Sequence, residues 1–371
     1  MPTSDSLMHG NEIQIERVRS LDPLAADKRL ARLPQINAAS DIRALSLLLG
    51  DLLPDPGGLA AFDTDHCIAA MRDLGMVLGS IKRHGQEPLA VVPRATPVLI
   101  ELGARTDMVP RDVVHHYCTW NPTGDRERMY TGDGQERYLQ DSVRMVFPHL
   151  RAALELCHIL QDCDPRDTKF AVLLDALNRE VAPMIDSIDL VLEHVSPRYF
   201  ARDLRPYFEE VVVDGATLLG PAAAQVPLWL VDEVVWASDR SSADYLGFVH
   251  HSVPYSLPRW RELHDGWVGT PSLVTRVLRA HEDEVEHAAT IPALRASAKS
   301  LASVLRTVTV FRGRHMGIAR QAYQEDLRLY PVGSGGASVD LLREIIDLTR
   351  ENAHLVKAMG QSRRPVGAGT A

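Results

Sequence analysis

The segment from Leu301 to Tyr323 puts one histidine where it could do chemistry. Leu301, Val304, Val308, Phe311, His315, Ile318 and Ala322 recur at alternating intervals of three and four residues. That spacing lines one face of an α-helix with apolar side chains and sets His315 within the stripe. An imidazole so placed is either a core histidine satisfied by nearby carbonyls or a metal ligand. Haem iron suits the second reading. A single imidazole supplies the axial bond, apolar residues such as Phe311 cover the porphyrin face, and a flanking arginine such as Arg312 can pair with a propionate. Arg306, Arg314 and Arg320 also flank the stripe. The pattern alone leaves both readings open.

Other residues compete for a chemical role. Gly333-Ser334-Gly335-Gly336 precedes a helical stretch from Ala337 to Lys357. Such a turn can offer backbone N–H groups and a hydroxyl to an anion, or serve only as a connector. Two Glu-x-x-His pairs, Glu155/His158 and Glu284/His287, have the spacing of a di-iron carboxylate site, and Glu193 could add a third carboxylate. A fourth carboxylate at an apolar position is not evident, and His281 to His287 reads as a solvated charged face. The adjacent pairs His115-His116 and His250-His251 are expected to bury one member each at most. Cys67, Cys118, Cys157 and Cys163 form no CxxC pair and are expected to be free thiols.

These residues must be held by helices. Ala, Leu, Arg and Glu dominate, with Pro-rich and Gly-rich breaks around 54–58, 121–134, 220–221 and 331–336. The exception is about 211–219, where Asp214-Gly215 between two apolar runs signals a β-hairpin. The expected fold class is all-α with that minor hairpin. The expected organisation is a flexible 1–15, an N-terminal helical subdomain 16–120, a haem-binding helical domain 121–360 and a flexible tail 361–371. No GxGxxG or GxxxxGK[ST] motif supports a nucleotide-binding fold. Forty basic and 49 acidic residues give a net charge of −9, which offers no footprint for nucleic acid and no polybasic patch for a membrane. The first 20 residues lack the apolar core of a signal peptide, so cytoplasmic residence is expected.

Several long stretches resemble one family. They are Ala70 to Pro93 (AMRDLGMVLGSIKRHGQEPLAVVP), Thr119 to Gly132 (TWNPTGDRERMYTG), Ser196 to Glu209 (SPRYFARDLRPYFE) and Leu219 to Ser238 (LGPAAAQVPLWLVDEVVWAS), followed by FRGRHMGIARQAY and VGSGG. In this order they resemble the haem enzymes that make monodechloroaminopyrrolnitrin in pyrrolnitrin biosynthesis, within the indoleamine/tryptophan 2,3-dioxygenase superfamily. The resemblance runs from about Asp22 to Val356 and implies that superfamily's helical haem fold.

It also implies roles. His315 matches the proximal ligand of a b-type haem. Arg205 matches the arginine that holds the substrate carboxylate. Ser334, with Gly333 and Gly335, matches the loop at the amino-acid end of the substrate. Tyr323 and Ser142 match pocket positions, and Tyr138 lies one turn before Ser142. Ala222, Ala223 and Gln225 fall in a segment at the haem edge. The implied substrate is L-tryptophan or 7-chloro-L-tryptophan, rearranged and decarboxylated to an aminophenylpyrrole in antibiotic biosynthesis. Dioxygen or peroxide is the implied oxidant, and an electron donor is possible. No distal acid or base is evident, although His116 is conceivable. The serine cluster of the dioxygenases is replaced by Gly220 to Pro227 (GPAAAQVP), which weakens the case for plain indole cleavage to N-formylkynurenine. Haem hydroxylases of aromatic amino acids are more distantly similar, and Ala319 excludes the covalent haem link that some of them make at that position. Indole dioxygenase, aromatic hydroxylase and a non-catalytic haem-binding protein remain the alternatives.

Overall fold

The computed structural model describes residues 11–286, 291–322, 330, 333 and 335–361. The long helices are Thr64–Arg83, Gly134–Gln161, Thr168–Val181, Pro183–His194, Leu273–Glu286, Pro292–Ala322 and Val339–Gln361. Aspartates start several of them. Asp63, Asp133 and Asp167 each precede a helix and accept a backbone N–H of its first turn, at 2.8–2.9 Å. Pro183 and Pro292 stand at first helical positions, where the missing N–H costs nothing. Among the described residues the only sheet is a hairpin of β1 (Val211–Val213) and antiparallel β2 (Ala216–Leu218), with Val212 opposite Thr217. Its turn residues Asp214 and Gly215 have φ of 47° and 79°, the left-handed conformation an Asp-Gly pair accepts. The fold is therefore all-α with one small hairpin. No helix among the described residues is long and apolar enough to cross a membrane.

The first described helix, Glu12–Ser20, begins ahead of residue 16. Asn11 caps it, accepting from Gln14 N at 2.8 Å, and Ile15 and Val18 are buried with Ile68 and Ala69. Two apolar cores follow, and both draw on chain either side of residue 120. One joins Ile68, Trp120, Leu150, Leu174, Val234 and Val304; the other joins Leu45, Leu74, Leu99, Ile188 and Val213. The core is thus not divided at residue 120, because the Thr64–Arg83 helix contributes to both halves. Val226 and Phe311 pack against both cores.

The Thr64–Arg83 helix is buried from Cys67 to Ile81, and close approach explains its glycines. A Cβ on Gly79 would stand 2.6 Å from Tyr130 Oη and 2.7 Å from the backbone oxygen of Tyr207. Gly79→Ala should gain about 1 kcal/mol in helix propensity but lose more, within the 1–3 kcal/mol or so of an overpacked core. A backbone oxygen cannot rotate aside. Denaturant unfolding should show a net loss of stability, and an unchanged or raised midpoint would contradict this packing.

Candidate active site

The apolar stripe of the Pro292–Ala322 helix divides between core and cavity. Leu301, Val304 and Val308 are buried in core. Phe311, His315, Ile318 and Ala322 line a cavity of about 300 Å³. The opposite walls come from both cores: Val114, Tyr117, Cys118, Val143, Ile188 and Phe208 on one side, and Met184, Leu228, Trp229, Tyr245 and Ile345 on the other. Two π-helical turns, His115–Thr119 and Tyr199–Leu204, supply Tyr117, Cys118 and Phe200 to this wall. Such turns redirect side chains locally and are frequent at functional sites.

His315 stacks beside Phe311 at 6.1 Å between ring centroids, and its ring makes no hydrogen bond among the described residues. Burial, then the nearby Arg312 charge, lowers its pKa below the ordinary histidine value, so the ring is neutral near pH 7. The other polar groups of the wall are mostly occupied. Tyr117 Oη donates to Glu136 at 2.9 Å, Ser142 Oγ to the Leu139 carbonyl at 2.7 Å, Ser187 Oγ to the Met184 carbonyl at 2.9 Å and Tyr245 Oη to Asp232 at 2.7 Å. Arg312 is buried, paired with Asp232 and donating to Thr349 Oγ1 at 2.8 Å. Cys118 stays a thiol, because burial pushes its pKa up to about 12. An unpartnered neutral imidazole in an apolar chamber fits axial ligation of a haem. Among the described residues no group of three or more His, Cys, Asp or Glu could hold a metal ion. Glu155 and His158 are exposed, Glu193 is exposed, Glu284 is bonded to Ile291 N, and His287 lies outside the described residues, so the di-iron arrangement finds no support there.

The other residues picked out in the sequence fall in several places. Ser142, Ala222, Ala223, Phe311, Arg312, Gly333 and Gly335 share the cavity wall with His315. Gly335 lies against the Ala222–Ala224 segment so closely that a Cβ on it would stand 2.4 Å from that of Ala224. Gln225 does not line the cavity. It pins the segment that does, accepting from Val114 N at 2.8 Å and donating to Gly220 O at 2.9 Å. Tyr138 is half exposed, stacks on His194 at 4.0 Å and is off the wall. Ser334 and Tyr323 lie outside the described residues. Arg205 is 3% exposed and is not on the wall, although Phe200 and Phe208 on either side of it are. Its Nε and Nη1 have no hydrogen-bond partner among the described residues, and its guanidinium carbon lies 4.2 Å from the Tyr330 ring centroid.

The histidine pairs correct one expectation. His250 and His251 are both exposed, but His115 and His116 are both buried. Every residue from Arg111 to Pro122 is buried, so this turn has no water-facing side to receive one ring. His115 packs against Phe147 and Trp260, each at 5.1 Å, while His116 Nδ1 accepts from Val113 N at 3.1 Å. Burial lowers the pKa of both, that of His115 to about 3, and neither lines the cavity. Sequence reasoning missed Tyr117, Cys118, Phe200, Trp229 and Tyr245 on the wall; no periodicity marks a segment buried on all sides.

Compared with known protein families, the chain matches the family model described as monodechloroaminopyrrolnitrin synthase PrnB over residues 34–363.

Proposed function

This chain belongs to the monodechloroaminopyrrolnitrin synthase PrnB family, an enzyme family of pyrrolnitrin biosynthesis, and from that premise we propose that it binds haem b through His315. Its substrate on this reading is L-tryptophan or 7-chloro-L-tryptophan, rearranged and decarboxylated to an aminophenylpyrrole. The observation that carries the reading is the neutral His315 imidazole on an apolar cavity, without a hydrogen-bond partner among the described residues.

His315 would hold the haem, and the haem would supply redox chemistry with dioxygen or peroxide. The chain supplies position and surroundings. Val143, Ile188, Ile318 and Ala319 give the indole an apolar wall and exclude water. The Arg205 guanidinium, off the cavity wall but between Phe200 and Phe208 on it, would hold the substrate carboxylate; its Nε and Nη1 have no acceptor among the described residues, so no protein hydrogen bond there has to break. Ser334, with Gly333 and Gly335, meets the amino-acid end. The wall hydroxyls of Tyr117, Ser142, Ser187 and Tyr245 are already donated to protein acceptors. Among the described wall residues these hydroxyls are therefore not free to take up a substrate proton, and the indole N–H or the substrate amine could serve instead. Fixing a substrate at both ends is a large part of the rate enhancement a site can offer.

An optical titration tests the reading. The protein, purified with haem supplied, should show a Soret band that shifts saturably with L-tryptophan or its 7-chloro derivative. A haem spectrum indifferent to both would discard the substrate, and formation of N-formylkynurenine would favour indole cleavage. Arg205→Ala should raise the L-tryptophan Kd about ten- to a hundredfold, the worth of a charge-assisted bond of roughly 1.5–3 kcal/mol. An unchanged Kd removes Arg205 from the site.

A further inference from the structure

We propose that Tyr330 is a positioning residue for Arg205: its ring holds the face of the guanidinium and its phenol holds Glu209 away, so that the N–H edge stays unpaired for the carboxylate of an α-amino acid. The proposal rests on the carboxylate reading above and adds what keeps that arginine available.

The argument starts from an anomaly. A buried guanidinium normally finds carbonyls or carboxylates for its five N–H groups, because an unpaired buried donor is costly. The Arg205 side chain makes no hydrogen bond among the described residues, and two of its nitrogens are sealed from water. What it has is the Tyr330 ring, 4.2 Å from its central carbon. A cation on an aromatic face is held through that face. The N–H bonds of a planar guanidinium lie in its own plane, so stacking leaves them unspent.

A competing carboxylate sits four residues away. Glu209 follows the Arg205–Phe208 turn; Asp203 is nearer in sequence but exposed, which leaves Glu209 as the anion to neutralise Arg205. No ion pair joins them among the described residues. Glu209 Oε1 instead accepts the hydroxyl of Tyr330. Burial, then this contact, raises the Tyr330 pKa, so the phenol remains a donor at ordinary pH. One side chain thus does two things: it stacks on the cation and occupies the anion that would quench it.

The two actions separate by mutation. The haem-loaded protein is titrated by calorimetry with L-tryptophan and with tryptamine, which keeps the indole and amine but lacks the carboxylate. Wild type should prefer L-tryptophan. Tyr330→Phe keeps the ring but frees Glu209, and should cut that preference about tenfold through L-tryptophan alone. Adding Glu209→Gln to Tyr330→Phe should restore it. Tyr330→Leu loses the ring as well, so Glu209→Gln should fail to restore it fully. Equal weakening of both ligands by Tyr330→Phe would mean a merely structural role and overturn the proposal, as would a preference unchanged in that variant. Arg205→Ala separates the two levels. If it abolishes the preference while the Tyr330 variants keep it, the positioning role alone is wrong. If it too keeps the preference, the carboxylate reading falls and the proposal with it.

Discussion

Replacing His315 by alanine should leave a folded protein that does not retain haem. Two features make the two effects separable. The ring makes no hydrogen bond among the described residues, so its removal orphans no buried donor or acceptor. It also lines a cavity rather than filling close-packed core, so truncation enlarges an existing space instead of opening a new one. The melting temperature of the haem-free variant should therefore stay near that of haem-free wild type. Haem binding should not survive, because the imidazole is the one uncommitted metal-ligating nitrogen on the described wall, and neutral as ligation needs. Loss of a mere outer-shell partner of a ligand costs about 10–100-fold in metal affinity, and loss of the ligand itself should cost at least about a hundredfold. The checks are the Soret absorbance per chain after haem loading and a haem titration of the apoprotein. Added imidazole, small enough to enter the vacated space, should bring back part of the band. A variant with wild-type haem affinity would make His315 a core histidine, the plainer of the two readings its stripe allows.

That stripe shows what a sequence of this kind exposes. Seven residues on one helix repeat with the period of the helix, so the face carrying His315 is visible before any tertiary contact is known. The hairpin at Asp214-Gly215 is visible for an equally local reason, a turn that needs two left-handed residues. The rest of the cavity has no such signature. Its wall is assembled from Val114, Tyr117, Cys118, Val143, Ile188, Phe208 and Trp229, which are mostly far apart in the chain and partly on irregular turns. Charge was the least legible property. Arg312 reads as a flanking residue free to meet a propionate, whereas it is buried and spent on Asp232. No pattern in the sequence marks Arg205, whereas it is buried, stacked on Tyr330 and without a side-chain hydrogen bond among the described residues. A sequence places an arginine on a face but does not say which acid, if any, the fold carries to it.

Asp73 carries the second large prediction. It is wholly buried, and Arg72 and Arg128 both reach its Oδ1, at 2.8 and 3.0 Å. Arg72 also donates to the carbonyls of Val18, Leu21 and Trp120, and Arg128 pairs with Asp27 at 2.6 Å. The cluster fastens the Glu12–Ser20 helix and the loop after Trp120 to the Thr64–Arg83 helix. Asp73→Asn keeps the shape and removes the charge. Arg72 then has no carboxylate, and a buried cation without one costs about 3–5 kcal/mol. That is a large part of a total stability of about 5–15 kcal/mol. Urea unfolding at pH 7 should show it, and a loss under about 1 kcal/mol would mean that water reaches the arginines. Acid separates charge from packing. Burial alone would raise the Asp73 pKa, but the Arg72 and Arg128 charges and hydrogen bonds outweigh it and hold it below its ordinary 3.8. A carboxylate more acidic in the folded than in the unfolded state stabilises fully above the unfolded value and loses that contribution as pH falls through the folded one. The gap between wild type and Asp73→Asn should therefore be constant from pH 7 to about pH 5 and narrow below pH 4. If the gap persisted unchanged at pH 3, the loss would come from geometry rather than from an uncompensated charge, and the cluster would be a set of hydrogen bonds that any polar side chain of that shape could anchor.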